Sequence, residues 1–224
     1  VQQGARHLLL LGRRPPSTAA AAVIQELTEA KVHVEVMLAD VADAAQVTAV
    51  LAHMSATMPP LRGVIHAAGV LQDSILLNQD WSQFERVLAP KVTGGWNLHL
   101  HTQNQPLDFF VLFSSIAALL GSAGQGNYAA ANAFLDGLAQ ARRQQGLPAL
   151  SINWGPWAVG MAETLNETQK QRWLAQGIEM IVPEQGVALL AEAQQIGAAQ
   201  IGAFSVDWHT FSRQSSLRHD WLFL

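Results

Sequence analysis

The sequence predicts an α/β fold in which a parallel sheet is wound with crossover helices. Two observations lead there. Short apolar runs alternate with helical patterns along most of the chain, the habit of strand–helix–strand units. Half of the 224 residues are hydrophobic and only 13% are charged, enough apolar material for one sizeable core or two small ones.

In chain order, strands are predicted at 7–11, 32–38, 61–66, 107–113, 149–154 and 200–206. Helices are predicted at 19–30, 44–57, 80–101, 127–144 and 184–196. Pro90 starts or kinks a segment inside the third helical interval, because it has no N–H to donate. Pro183 followed by Glu184 marks a helix start. The stretch 160–181 interrupts the alternation. It is long for a connection, and it is either a lid over the carboxyl ends of the strands or a surface excursion.

Composition excludes several function classes. The formal net charge is −4, and Lys and Arg do not cluster beyond short pairs, so no nucleic-acid footprint is expected. No apolar run approaches the roughly 20 residues that span a bilayer, and the N-terminal apolar run is too short for a signal peptide. The absence of cysteine is compatible with a reducing compartment, and a cytoplasmic location is expected. His99 and His101 are two residues apart and diverge on a helix, so no metal site is expected.

Several signals suit a dinucleotide. The first apolar run ends in Gly12, Arg13 and Arg14 with no acid, which favours the 2′-phosphate of NADP over the free hydroxyl of NAD. A solvated arginine pair capping a strand is the alternative. Asp40 and Val41 follow the next strand, where an adenine ring would be flanked. His66, Ala67, Ala68 and Gly69 end the third with small residues that let a ligand approach the backbone. No G-x-G-x-x-G precedes residue 12. The central first strand and its phosphate loop are therefore expected upstream, and the chain reads as truncated at its N-terminus.

The chain's single tyrosine, Tyr128, lies between the glycine-spaced "GSAGQGN" and an alanine-rich helix start. Asn132, four residues on, shares its helical face. Ser115 ends the buried-type strand "LDFFVLFSS", where its hydroxyl can meet the same ligand. A phenol titrates near ~10 and is a sluggish proton donor unless a nearby ammonium stabilises the phenolate. Of the three lysines, Lys91 is on the segment expected to flank this cleft. Trp154 and Trp157 of "WGPW" suit packing, while Gly155 and Pro156 between them are reasonable nicotinamide neighbours. Met161 either touches substrate or fills a gap.

These residues resemble the ketoreductase domain of modular type I polyketide synthases, a branch of the short-chain dehydrogenase/reductase superfamily. The resemblance is carried by "LLLLGRR", "LADVAD", "VIHAAGVL", "APKVTGGWNLH", "FSSIAALLGSAGQGNYAAANAFLDGLA", "INWGPWAVGMA", "VPEQGVALL" and "VDWHTF". Such domains carry Tyr-x-x-x-Asn with the lysine moved upstream, as Tyr128, Asn132 and Lys91 are here. The resemblance implies a Rossmann-like doubly wound parallel sheet. It implies a catalytic subdomain over residues 1–211 and a linker towards a carrier protein over 212–224.

It also implies that NADPH delivers hydride to a β-ketoacyl group on an acyl carrier protein phosphopantetheine. Ser115 would hold the carbonyl oxygen, Tyr128 would donate the proton, Lys91 would hold the nicotinamide ribose and depress the phenol pKa, and Asn132 would support the arrangement through a water. The implied partners are that carrier protein and neighbouring synthase domains, among them a structural reductase subdomain, in a homodimeric parent. Family members giving the D-configured alcohol carry Leu-Asp-Asp after the His-x-Ala-Gly segment. Here Leu71 and Asp73 are present with Gln72 between them, and Leu120 stands where the opposite class has tryptophan. A D-type product is expected. A fatty acid synthase ketoreductase and a catalytically silent structural domain are the alternatives.

Overall fold

A computed structural model describes residue 1, residues 4–160, residue 171 and residues 173–214. The elements run β1 (His7–Gly12), α1 (Thr18–Glu29), β2 (His33–Leu38), α2 (Ala44–Thr57), β3 (Gly63–His66), a 3-10 turn (Leu76–Asn78), α3 (Trp81–Leu88), a π turn (Ala89–Thr93), α4 (Gly94–Thr102) and β4 (Phe109–Ser115). They continue with α5 (Ala117–Leu120), α6 (Gly126–Gln144), β5 (Leu150–Trp154), β6 (Ile178–Glu179), α7 (Pro183–Gln195), β7 (Gln200–Ala203), β8 (Ser205–Val206) and α8 (Trp208–Gln214).

The parallel strands form two sheets among the described residues. One is the pair β1–β2, with His7 opposite His33 and Gly12 opposite Leu38. The other has the order β3-β4-β5-β7, every pairing parallel. No described strand bridges β1 and β3, so the parallel strands are divided there. The halves meet instead through helices. Asn97 on α4 donates to the Val41 carbonyl at 3.0 Å. A Cβ at Gly94 would come within 2.6 Å of Val41 Cγ1, so only glycine permits that approach.

β4 is buried on both faces, as a parallel strand covered by helices must be. Phe110 and Leu112 pack with Leu135, Leu138 and Ala139 of α6. Val111, one residue out of phase, packs with Ile152, Trp154 and Ala193 on the other side, where Leu189 and Leu190 of α7 close the layer. β5 is asymmetric. Its apolar residues Leu150, Ile152 and Trp154 face the α7 side, whereas Ser151 and Asn153 bond to Asp136 of α6.

Local chemistry sets the helix starts. Asp43 accepts from the amides of Ala45 and Gln46 to begin α2. Asp80 and Gln83 form a capping box at α3. Pro183 occupies the first turn of α7.

Three expectations change. The interval 80–101 is not one helix, because Pro90 removes a donor and the chain widens into the π turn, with the Gly94 amide reaching back to the Ala89 carbonyl. The strand at 200–206 breaks at Phe204. β7 stays in the main sheet while β8 leaves it to pair antiparallel with β6, Ile178 opposite Val206. The strand at 107–113 is shifted, running from Phe109 through Ser115, so both serines belong to the ladder. The expected linker start at residue 212 falls within α8, and its remainder from 215 lies outside the described residues, as does Met161.

Leu135 is fully buried between α6 and β4. Leu135→Ala is expected to lower stability by about 3 kcal/mol through lost transfer energy and an unfilled cavity. The check is a lower denaturant midpoint with an unchanged slope.

Candidate active site

The carboxyl ends of β3 and β4, the π turn and the first turn of α6 converge on one small volume. Tyr128 lies in that first turn and is 7% exposed. Its amide donates to Asn127 Oδ1 at 2.7 Å, and Asn127 Nδ2 donates to the Gln72 carbonyl at 3.0 Å. One turn on, Asn132 Nδ2 donates to the Tyr128 carbonyl at 2.8 Å, while Asn132 Oδ1 is buried without a partner. Ser115 ends β4, and its Oγ accepts from the Ala117 amide at 3.2 Å.

Lys91 projects from the π turn and is 2% exposed. Its Nζ donates to the Phe113 carbonyl at 2.8 Å and lies 5.6 Å from the centroid of the Tyr128 ring, within cation–π range. Gly69 leaves room for it: a Cβ there would come within 3.1 Å of Lys91 Cε.

Burial dominates the electrostatics. It pushes Lys91 down to about 8, with the Asp136 carboxylate pulling the other way. It pushes the Tyr128 phenol above its ordinary value, and the Asn132 and Ser115 side chains, acting as hydrogen-bond partners, pull it back; Asp73 pushes it up again. The expectation that Lys91 depresses the phenol pKa is therefore not what dominates here, because removing the phenolate from water outweighs the other influences. His66, 3% exposed at the end of β3, is pushed down to about 4, first by burial and then by Lys91.

The predicted cofactor residues lie at three strand-end regions. Arg13 and Asp40 sit at the adjacent carboxyl ends of β1 and β2 and pair at 3.7 Å, both partly in water. Arg14 beside them is exposed, and Val41 is buried against Gly94. Ala67 and Ala68 are exposed just past β3, and Gly69 adjoins Lys91. His66 differs, since its ring is interior. Gly155 is packed against Phe204 past the end of β5, with Pro156 half-buried after it. Trp154 and Trp157 pack edge to face at 5.0 Å, and a Cβ at Gly186 would enter the Trp157 ring, consistent with the packing role.

Sequence reasoning missed how the two loops flanking Tyr128 lock together. Gln125 Nε2 donates to Asp73 Oδ2 at 2.9 Å, the Ser74 amide donates to the Gly124 carbonyl, and Gln79 Nε2 donates to the Ser74 carbonyl. Asn127, fully buried, joins both loops, and no spacing rule marks it. Among the described residues no cluster of three or more His, Asp or Glu could hold a metal, and no helix is long and apolar enough to cross a membrane.

Known proteins resemble this chain in sequence and in fold. The KR domain family profile matches residues 1–159. The chain is 47% identical over 190 residues, 84% of its length, to a phenolphthiocerol synthesis polyketide synthase type I of Mycobacterium marinum. It is 42% identical over 207 residues, 92% of its length, to a phenolphthiocerol/phthiocerol polyketide synthase chain of Mycobacterium tuberculosis. It covers 9% of each of those proteins. Among solved structures, A-type ketoreductases from a modular polyketide synthase superpose with a TM-score of 0.87 at 36% identity, over 94% of this chain and 44% of that one.

The buried imidazole yields a stability prediction. An unfolded histidine takes a proton near ~6.5, whereas folded His66 does so only at about 4. The unfolded state therefore binds the proton first, and stability falls as pH drops from about 6.5 to about 4, by up to roughly 3 kcal/mol. Denaturant midpoints measured across that window should fall less steeply in His66→Gln.

Proposed function

The chain belongs to the ketoreductase domains of modular polyketide synthases, within the short-chain dehydrogenase/reductase superfamily, and we propose that it uses NADPH to reduce the β-keto group of an acyl chain tethered to a carrier protein. The observation that carries this reading is the convergence of Ser115, Tyr128, Asn132 and Lys91 at the carboxyl ends of β3 and β4. Ligands in open α/β sheets sit at that edge.

The residues suit a nicotinamide dinucleotide. Arg13 and Arg14 at the end of β1 would take the 2′-phosphate, and Asp40 with Val41 would flank the adenine. The exposed small residues Ala67 and Ala68, with Gly69, leave the backbone open beside Lys91. Lys91 would meet the ribose hydroxyls, with Gly155 and Pro156 near the nicotinamide. The unpartnered, fully buried Oδ1 of Asn132 offers an acceptor to a water or hydroxyl in the same volume.

When bound, NADPH supplies the hydride that reaches the β-carbonyl carbon. The chain's own groups act on the oxygen. The Ser115 hydroxyl donates a hydrogen bond to it and fixes the carbonyl. As negative charge develops there, the Tyr128 phenol transfers its proton to that oxygen, leaving a phenolate and a β-hydroxyl. The raised phenol pKa keeps the proton in place until it is needed. The Lys91 ammonium over the ring face stabilises the phenolate that results. The locked loops around Asp73 and Gln125 would fix which face of the ketone meets the hydride, and a D-configured alcohol is the proposed product. The carrier protein, the neighbouring synthase domains and a dimeric parent belong to the same proposal.

Two measurements test it in the full-length protein. Tyr128→Phe should lower kcat/KM for a β-ketoacyl thioester by about 10²–10⁴ while leaving the unfolding midpoint nearly unchanged. Unchanged turnover would remove Tyr128 from the mechanism. Chiral chromatography of the product should give the D-hydroxyacyl thioester; the opposite enantiomer would overturn the stereochemical assignment.

A further inference from the structure

Helix α6 carries a row of polar residues that the mechanism above uses only in part. Tyr128, Asn132 and Asp136 are spaced by four and share one helical face, and all three are buried. Asp136 is 8% exposed. Its Oδ1 accepts from Ser151 Oγ at 2.5 Å and its Oδ2 from Asn153 Nδ2 at 2.9 Å. Both donors are neutral, so the carboxylate's charge is not cancelled where it is bonded. Asn153 Nδ2 also reaches Ser114 Oγ at 3.0 Å and the Ser115 carbonyl at 3.2 Å. Ser114 Oγ in turn donates to the Asn132 carbonyl at 3.2 Å, and Gln200 holds Asn153 Oδ1.

Lys91 is the complement of this arrangement. It is a buried ammonium that donates to a neutral acceptor, the Phe113 carbonyl, on the strand end where Ser114 and Ser115 meet the Asp136 network. Two buried opposite charges bonded to neutral partners on neighbouring strands, Asp136 to β5 and Lys91 to β4, lower each other's desolvation penalty. We propose that Asp136 is a positioning residue for the reduction, the buried counter-charge that keeps Lys91 an ammonium and ties its strand-end seat to the Tyr128–Asn132 face of α6.

The charges facing Lys91 agree. His66 from β3 is held neutral, Tyr128 from α6 holds its proton, and Asp136 is the negative group acting on Lys91, while Asp73 from the loop after β3 acts on the phenol. The inference rests on the reading of Lys91 as the ammonium of the reductase site, and its test separates the two.

The experiment uses the full-length protein with ¹³Cε-labelled lysine, the Lys91 signal being identified by its loss in Lys91→Met. Wild type should titrate at about 8. Asp136→Asn should move that midpoint towards acid by about one pH unit, and Asp136→Glu should restore it. Asp136→Ser replaces Asp136→Asn if the latter does not fold. The basic limb of the kcat/KM profile should follow the same shift, so that the variant's deficit grows from about twofold at pH 7 to about ninefold at pH 9. A midpoint in the charge-removing variant that coincides with wild type would overturn the proposal and leave Asp136 as a bracing side chain. A shifted midpoint in a protein without reductase turnover would uphold the charge pairing and reject the reductase reading instead. Turnover that needs Tyr128 with an unmoved midpoint would do the reverse.

Discussion

The buried ammonium of Lys91 is the constraint around which the site is built. Taking an ammonium out of water costs several kcal/mol even after the protein relaxes, so each neighbour must either return part of that cost or avoid adding to it. The Phe113 carbonyl supplies a hydrogen bond, and the Tyr128 ring supplies its electron-rich face. Gly69 supplies space. His66, the titratable ring at the end of β3, is held neutral and adds no repulsion. The lysine reaches this seat because Pro90 opens a π turn in what would otherwise be a continuous helix from α3 to α4. π turns inside helices occur frequently at functional sites.

β4 carries that constraint into the core. Its alternate residues enter two different apolar layers, Phe110 and Leu112 against α6 and Val111 against the α7 side. A strand held on both faces has little freedom at its end, and at that end the Phe113 carbonyl meets Lys91 while Ser115 meets α5. The α6 side of β5 continues the design in polar form. Ser151 and Asn153 tie the strand to Asp136 of α6, so the helix that bears Tyr128 is fixed by apolar packing against one strand and by hydrogen bonds against the next. Apolar contacts tolerate sliding better than directed hydrogen bonds, which gives the polar side a role in setting the register of Tyr128.

Around the mouth of the site, order comes from backbone and amide contacts between two loops. Asn127 at the start of α6, Gln125 before it and Gln79, whose Nε2 donates to the Gly124 carbonyl, bridge the segment after β3 to the start of α6. These segments hold only short turns, the 3-10 turn Leu76–Asn78 and the four-residue α5, so each provides the other's hydrogen-bond partners. This explains why the Leu71–Asp73 stretch, remote from Tyr128 in sequence, bears directly on it in space.

The alternation of apolar runs with helical patterns determined the element order, and buried parallel strands such as β4 were legible because both of their faces are apolar. Pro183 marked the start of α7. Tyr128, Asn132 and Ser115 could be singled out because a lone phenol, a four-residue helical spacing and a strand end are local signals. Other features depend on contacts between distant segments. A proline predicts a break, but only packing made that break a π turn aimed at a strand end. The strand predicted at 200–206 split because β6 offers a partner that no local pattern reveals. Burial, and with it the downward shifts of Lys91 and His66, depends on what the other elements cover. Asp136 shows the division most plainly: its place on the Tyr128–Asn132 face is written in the spacing of four, while its role as a buried charge appears only once β4 and β5 close over it and remove the water that would have screened it.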